Sequence, residues 1–149
     1  MTKDIKKTTR KMTRARLKDY KALKLEIAQW EQVLVEHLNS SYVGVSNIDG
    51  LPRGCDLSDQ TAWIATRTIL FYGKLNEKRL AAIELCQEIE DALEPLPAIE
   101  RVLLRERYIF CKEWGEICAV IGYSWRQTLR MHSEALARLG KQHSYPLSS

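Results

Sequence analysis

The chain has 149 residues, 45% apolar and 28% charged, so it can bury a hydrophobic core and is neither disordered nor fibrous. Its net charge of +4 is unevenly spread, because residues 1–25 carry ten basic and two acidic side chains while residues 26–98 carry five and twelve. The basic ends favour a polyanion-binding protein over a soluble enzyme. The most apolar window, 62–73, is too short to cross a bilayer, and no apolar run follows the amino-terminal charges. We therefore expect an intracellular protein without a secretory signal.

A polar, basic arm is predicted for residues 1–13, and a long amphipathic helix follows from about Arg14 to Leu38. Its apolar side chains recur at intervals of three and four, which places them on one stripe that must be buried. The members of this stripe are Leu17, Tyr20, Leu23, Ile27, Trp30, Leu34 and Leu38. From Asn39 onward the sequence is rich in turn-forming residues, including Asp49-Gly50, so a long loop is expected over residues 39–58.

A second long helix is predicted from a cap at Ser58 to about Leu93, with Pro95 and Pro97 ending it and a bend or stagger at Gly73. Its apolar stripe has two parts: Ile69, Tyr72 and Leu75, then Leu80, Ile83, Cys86, Ile89 and Leu93. Two long amphipathic helices joined by a loop predict a helical hairpin over residues 14–95 that mediates dimerisation or partner binding. Ordinary packing within one chain explains the same stripes nearly as well.

The remaining chain divides into three shorter helices, Ile99–Phe110, Trp114–Ile121 and Trp125–Leu139, with a tail over residues 141–149. No segment has the alternating pattern of a strand, so the predicted fold is all-α. Gly122 lies where a left-handed residue would end the second of these helices, and Ser124 with Gln127 has the spacing of a capping box. Two helices joined by a short, glycine-led turn are typical of a helix-turn-helix, whose second helix lies in the DNA major groove. We assign this DNA-binding module to residues 96–140.

The last helix has a predicted buried stripe of Thr128, Met131, Ala135 and Leu139. The opposite face then presents Trp125, Arg126, Leu129, Arg130 and Ser133. An arginine can donate two hydrogen bonds to a guanine, so Arg126 and Arg130 are candidate base contacts. Trp125 would either pack on a thymine methyl or sugar, or shield the turn.

Two further residues extend this predicted site. Gln127 can form two hydrogen bonds to an adenine, as an arginine does to a guanine, although we favour its role in the capping box. Lys112 is a candidate phosphate contact, assisted by the amides at the start of the helix that follows it. The predicted DNA-binding residues are therefore Lys112, Ser124, Trp125, Arg126, Gln127, Arg130 and Ser133.

The carboxyl-terminal part of the chain also resembles known regulators. The motifs Leu96-Pro97, Glu100-Arg101, Leu103-Leu104, Arg107-Tyr108, Glu116-Ile117, Gly122-Tyr123-Ser124 and Ala135-Leu136 resemble the fourth conserved region of bacterial σ70-type factors. A closer resemblance is to phage regulators of the RinA/ArpU type, carried by Arg107-Tyr108-Ile109, Lys112, Trp114-x-Glu116-Ile117, Gly122-Tyr123-Ser124 and Arg130-x-His132. The loop over 47–54 and the helix after it are similar to the amino-terminal half of that group. The resemblance covers most of residues 17–139.

This resemblance implies a phage- or prophage-encoded regulator that binds double-stranded DNA in the cytoplasm of the bacterial host and activates late genes for packaging and morphogenesis. Host RNA polymerase is a further implied partner, and a homodimer would supply two DNA-reading heads for a symmetric site. Three residues depart from the family pattern in ways that would loosen the module. Glu106 replaces an apolar residue, Glu113 replaces the Ser or Thr that caps the following helix, and Thr128 replaces a larger aliphatic residue.

Two other functions remain open on the same sequence. A small terminase subunit for DNA packaging also combines a helix-turn-helix with helical oligomerisation, and it would form a large ring in place of a monomer or dimer. Alternatively, the module binds RNA polymerase or another protein and not DNA, which salt-dependent binding to duplex DNA would contradict.

No enzymatic activity, metal or cofactor is predicted, because the sequence has no Gly-rich phosphate loop, HExxH motif, His/Cys cluster or nucleophile elbow. The four cysteines, Cys55, Cys86, Cys111 and Cys118, lack zinc-ligand spacing and are interpreted as buried thiols in a reducing compartment. Trp114 is expected in the core, and His132 is expected to be a hydrogen-bonded structural residue or a phosphate contact.

Overall fold

The structure, a computed structural model, describes residues 12–45 and 56–142. Five α-helices run through this part of the chain: α1 (Arg14–Val45), α2 (Asp56–Leu93), α3 (Ala98–Leu104), α4 (Trp114–Ile121) and α5 (Trp125–Gln142). A single π-helical turn over Arg105–Ile109 continues α3. No strand occurs among the described residues, and the predicted all-α class is confirmed.

Both long helices extend further than the sequence predicts. α1 continues past Leu38 to Val45, and α2 begins at Asp56, so Ser58 lies within the helix instead of capping it. The hydroxyls of Ser40 and Ser41 donate to the carbonyl of His37, at 3.0 and 2.7 Å, so these serines satisfy their own polar groups on the helix. The expected Asp49-Gly50 turn, Cys55, residues 1–11 of the arm and residues 143–149 of the tail lie outside the described residues.

The described residues form two compact units. The two-helix unit is drawn from Ala22–Glu84, and the carboxyl-terminal unit combines described residues of Met1–Lys21 and Leu85–Ser149. Each unit boundary falls inside one of the long helices, so α1 and α2 both contribute to both units.

In the two-helix unit, α1 and α2 are antiparallel. Glu26 of α1 forms an ion pair with Lys78 of α2, with 2.6 Å between the carboxylate oxygen and Nζ. Further along α1, Nε2 of His37 lies 3.1 Å from the hydroxyl oxygen of Thr68. Later residues of α1 therefore contact earlier residues of α2. Between them, the rings of Trp30 and Phe71 are 6.0 Å apart.

The face of α2 that is buried in this unit differs from the predicted stripe. Leu75, a member of the predicted stripe, is 2% exposed as expected, and Ala82, which the stripe did not include, is also buried. By contrast, four members of the predicted stripe are exposed: Ile69 (71%), Tyr72 (47%), Leu80 (57%) and Ile83 (66%). The prediction was wrong for these four residues, because apolar side chains occupy two faces of α2 and α1 covers the other face.

The core of the carboxyl-terminal unit draws on residues far apart in the chain. Its fully buried apolar side chains are Leu17, Leu85, Ile89, Leu93, Leu103, Leu104, Ile117 and Leu139. Burying each of these contributes about 1.5–3 kcal/mol. Across this core the guanidinium of Arg105 donates two hydrogen bonds, of 2.8 and 2.6 Å, to the carboxylate of Glu90, which holds the pKa of Glu90 below its ordinary value. The end of α2 is thereby fixed to the π-helical turn.

Cys86, Cys111 and Cys118 are free thiols. Each is half-buried, so the expected full burial is wrong in degree. For Cys111 the backbone is part of the reason. This residue follows the π-helical turn in the left-handed region, at φ 57°. Its thiol therefore lies at the edge of the core, 3.6 Å from the carbonyl of Tyr108.

A buried carboxylate joins α3 to α5. Glu100 is 5% exposed and forms an ion pair with Arg138, and its Oε2 has no hydrogen-bond partner among the described residues. Arg138→Ala would leave this carboxylate buried without a cation, so we expect the free energy of unfolding to fall by about 1–3 kcal/mol. Urea unfolding measures the change, and Arg138→Ala combined with Glu100→Gln should recover part of it.

Arg130→Ala is the matched control for this prediction. Arg130 also pairs with a glutamate, Glu134, but both side chains are exposed, and such pairs contribute less than about 1 kcal/mol. Equal losses of stability for Arg130→Ala and Arg138→Ala would contradict a special role for the buried carboxylate.

Candidate nucleic-acid interface

The turn between α4 and α5 consists of the three residues 122–124, as predicted. Gly122 ends α4 in the left-handed conformation, with φ 73° and ψ 22°, and its amide donates to the carbonyl of Cys118 at 2.9 Å. A residue with a Cβ is disfavoured in this conformation by about 1 kcal/mol. The predicted role of Gly122 as the left-handed end of the helix is confirmed.

The first turn of α5 is closed by the predicted capping box. The amide of Gln127 donates to Oγ of Ser124 at 3.3 Å, and the side-chain Oε1 of Gln127 accepts from the Ser124 amide at 3.1 Å. The Ser124 hydroxyl also donates to this oxygen, at 2.9 Å. The amide oxygen of Gln127 is therefore committed to the cap, and α5 begins at a fixed point.

α4 begins with a second cap, which the sequence pattern did not predict. Glu113 stands where Ser or Thr was expected, and its amide donates to the carboxylate of Glu116 at 3.0 Å, while the Glu113 side chain faces the Glu116 amide in return. Two carboxylates at a helix amino terminus are also stabilised by the helix dipole. The Glu113-x-x-Glu116 spacing carries this signal, since a capping box needs only acceptors three residues apart.

Thr128 compensates for its small size with its hydroxyl. The residue is fully buried, and its Oγ1 donates to the carbonyl of Ser124 at 2.9 Å. The same oxygen accepts from the thiol of Cys118 at 3.4 Å. A smaller polar residue at this place therefore joins α4, the turn and α5.

Lys112 precedes α4 and is paired within the chain. Its Nζ lies 2.5 Å from a carboxylate oxygen of Glu106, whose side chain is only 14% exposed. The carbonyl of Lys112 accepts from the guanidinium of Arg107 at 2.8 Å. A phosphate at this position would compete with Glu106 for the ammonium group and with Glu113 and Glu116 for the helix amides.

The predicted outer face of α5 is exposed in the structure. Its side chains are Trp125, Arg126, Leu129, Arg130 and Ser133, and Ser124 and Gln127 beside them are exposed as well. Arg126 and Arg130 are one turn apart, about 6 Å along the helix axis. The ion pair between Arg130 and Glu134 spans 3.5 Å at the surface, so little free energy opposes its exchange for another anion.

The buried face of α5 differs from the predicted stripe by one residue. Thr128, His132, Ala135 and Leu139 are buried, whereas Met131 is half-buried. His132 thus occupies the place in the core that the pattern gave to Met131. The difference arises because the spacing of apolar residues does not identify a buried histidine. It does not show that the polar ring nitrogen has a hydrogen-bond partner in the core.

That partner is Tyr108 of the π-helical turn. Its hydroxyl and Nε2 of His132 are joined by a buried hydrogen bond of 2.9 Å. Trp114, half-buried where burial was expected, meets the His132 ring edge-on with 4.9 Å between centroids, and the Arg107 guanidinium lies 4.6 Å from the Trp114 ring. Burial lowers the pKa of His132 to about 4, and the charges of Arg14 and Arg107 act in the same direction. His132 is therefore neutral at physiological pH, and its burial leaves only the structural interpretation.

No family model, curated protein or solved structure matches this chain. Among the described residues, no helix is long and apolar enough to span a membrane, and no group of three His, Cys, Asp or Glu side chains could hold a metal ion.

Proposed function

We propose that this protein is a sequence-specific regulator of transcription that binds double-stranded DNA with α5 in the major groove. The observation that supports it best is the exposed face of α5, which carries Arg126 and Arg130 one turn apart within its first two turns. The amino-terminal turns of a recognition helix are the part that reaches base edges in helix-turn-helix proteins. Each guanidinium can donate two hydrogen bonds to a guanine, and Trp125 offers an apolar surface to a thymine methyl.

The fixed start of α5 supports the same proposal. Base recognition requires side chains whose positions do not drift, and the left-handed end of α4 at Gly122 and the cap at Ser124 fix the turn from both sides. Gln127 and Ser124 then act by orienting α5, and Lys112 has Glu106 as a competing partner. The base contacts in this proposal are Arg126, Arg130 and Trp125. Ser133 contacts the DNA backbone.

The wider role rests on the resemblance to phage regulators of the RinA/ArpU type. In this role the protein acts in the cytoplasm of a bacterial host, as a homodimer, and activates late genes together with host RNA polymerase. It has no catalytic activity of its own.

Selection of bound sequences from random duplexes tests the proposal. We expect a recovered motif containing guanines, and an affinity that falls steeply with salt because phosphate contacts release counterions. Enrichment of no sequence, together with salt-insensitive or absent duplex binding, would contradict DNA recognition and favour a module that binds RNA polymerase or another protein.

A further inference from the structure

One face of α2 in the two-helix unit is exposed and uncharged over six turns. We call it the uncharged face of α2, and it consists of Ala62, Ala65, Thr66, Ile69, Tyr72, Gly73, Asn76, Leu80 and Ile83, all exposed. These residues recur at intervals of three and four, so they form one continuous stripe about 33 Å long. Ile69 and Ile83 are among the most exposed large apolar residues of the described chain, at 71% and 66%. Contiguous apolar surface of this kind marks an interaction site.

The two ends of this face differ in the size of their side chains. Small residues fill its amino-terminal end, at Ala62, Ala65 and Thr66, and large ones fill its carboxyl-terminal end, at Leu80 and Ile83. Gly73 lies in the middle, where a Cβ would meet nothing within 4 Å. A face that is small at one end and large at the other is complementary to its own reverse.

We propose that the uncharged face of α2 binds the same face of a second copy of this chain, with the two helices antiparallel. The heptad spacing pairs Thr66 with Ile83 of the second copy, Ile69 with Leu80, and Gly73 with Asn76. Two of these layers join a smaller side chain to a larger one, Thr66 to Ile83 and Gly73 to Asn76, and the third joins two large apolar side chains of equal size. Glycine lets the helices approach closely at the centre. The interface is isologous, so the same contacts occur twice about a two-fold axis.

The charges that flank this face are compatible with the pairing. Glu77 and Glu84 lie along one edge, and in the antiparallel arrangement they come opposite Leu70 and Trp63 of the second copy. Arg79 lies along the other edge, opposite Tyr72, and its charge is already paired with Glu31 of α1, with 2.6 Å between the guanidinium and the carboxylate oxygen. No like charges come opposite each other in this dimer. A highly charged partner would have no opposite charge to pair with on the uncharged face. A second copy therefore fits better than a polyanion or an acidic peptide.

The size of the face is that of a weak dimer. A single helix pair of this length lies at the low end of the areas buried by specific complexes. We therefore expect a dissociation constant in the micromolar range, with monomer and dimer both measurable by sedimentation of the full chain. This inference does not depend on DNA binding, because mass in solution is measured without DNA.

Charge substitutions test both the face and the direction of pairing. Ile69→Lys and Leu80→Glu should each weaken the dimer about thirtyfold, a loss of about 2 kcal/mol in total, because each substitution removes about 1 kcal/mol at both of its symmetric places in the interface. In the antiparallel dimer, the introduced lysine of one chain would face the introduced glutamate of the other. The variant carrying both substitutions should therefore dimerise more strongly than either single variant. Leu25→Glu is the control, since Leu25 is 59% exposed on α1 and lies outside the uncharged face.

Each outcome decides the matter, provided that far-ultraviolet circular dichroism gives the variants the helical content of the parent chain. A parent chain that stays monomeric at several hundred micromolar, a large ring, or single variants that dimerise like the parent would overturn the proposal. A double variant weaker than both single variants would overturn the antiparallel arrangement, because a parallel dimer places lysine against lysine and glutamate against glutamate.

Discussion

Replacing both Arg126 and Arg130 with alanine is expected to abolish sequence preference in DNA binding while leaving the fold intact. Each arginine that donates two hydrogen bonds to a guanine is worth about 1–3 kcal/mol of discrimination, which corresponds to roughly 5- to 150-fold in relative affinity. Both side chains are exposed on α5 and contribute nothing to its buried face. The unfolding free energy should therefore change by no more than about 0.5 kcal/mol.

The measurement is a competition between the selected duplex and a scrambled one of the same composition. Lys74→Ala combined with Lys141→Ala is the matched control, because it removes the same two charges from exposed positions on α2 and at the end of α5. We expect this control to keep the preference for the selected duplex and to change only the affinity that both duplexes share. Unchanged footprints on the selected site for the double arginine variant would contradict base reading by α5.

The best-predicted part of the fold is the segment from Trp114 to Gln127. Gly122 and the Ser124–Gln127 pair are local signals, because each determines the conformation of its own few residues through a backbone preference or a short-range hydrogen bond. The structure accordingly has α4 over the predicted residues and α5 from the predicted start. Local chemistry of this kind can be read from the sequence without knowing what packs against it.

The faces of α2 could not be predicted in the same way. The predicted stripe combined Ile69, Leu80 and Ile83 with Leu75 and Ile89. In the structure the first three are exposed, whereas Leu75, Ala82 and Ile89 are buried on another face of the helix. Which stripe α1 covers depends on contacts such as Glu26–Lys78 and Trp30–Phe71, which join residues about 40–50 apart in sequence. Periodicity identifies a helix, but it does not decide between two apolar faces.

The three departures from the family pattern illustrate the same limit at the candidate site. They were expected to loosen the module because apolar or hydroxyl residues are usual there. In the structure, Glu113 forms a cap with Glu116, Thr128 bonds to Ser124, and Glu106 pairs with Lys112. Each polar group has a partner that is near in space, and a comparison of residue types at single positions does not include that partner.

Acidification is expected to destabilise the carboxyl-terminal unit through His132. Its pKa is about 4 in the folded chain and about 6.5 in the unfolded chain, so between these values only the unfolded state binds the proton. The free energy of unfolding is therefore highest above pH 6.5 and falls as the pH drops toward 4. The loss amounts to about 3 kcal/mol in total, of which about 2 kcal/mol is reached by pH 5.

The window between pH 7.5 and 5 isolates this histidine from the carboxylates. Glu90 also stabilises the folded state through its lowered pKa, but it loses that contribution only as the pH falls below the ordinary range of a glutamate. Within the window, the charges of Arg14 and Arg107 stay fixed and oppose a second cation beside them. Urea unfolding at several pH values should therefore give a free energy of unfolding whose dependence on pH in this window is caused by His132.

His132→Gln separates this effect from a general weakening of the core. Glutamine can still form a hydrogen bond to the Tyr108 hydroxyl but does not titrate, so its unfolding free energy should vary little between pH 7.5 and 5, whatever its absolute value. His37→Gln, in the two-helix unit, should keep the slope of the parent chain. If the pH dependence of the unfolding free energy survives in His132→Gln and disappears in His37→Gln, the buried Tyr108–His132 pair is not the group that responds to acid.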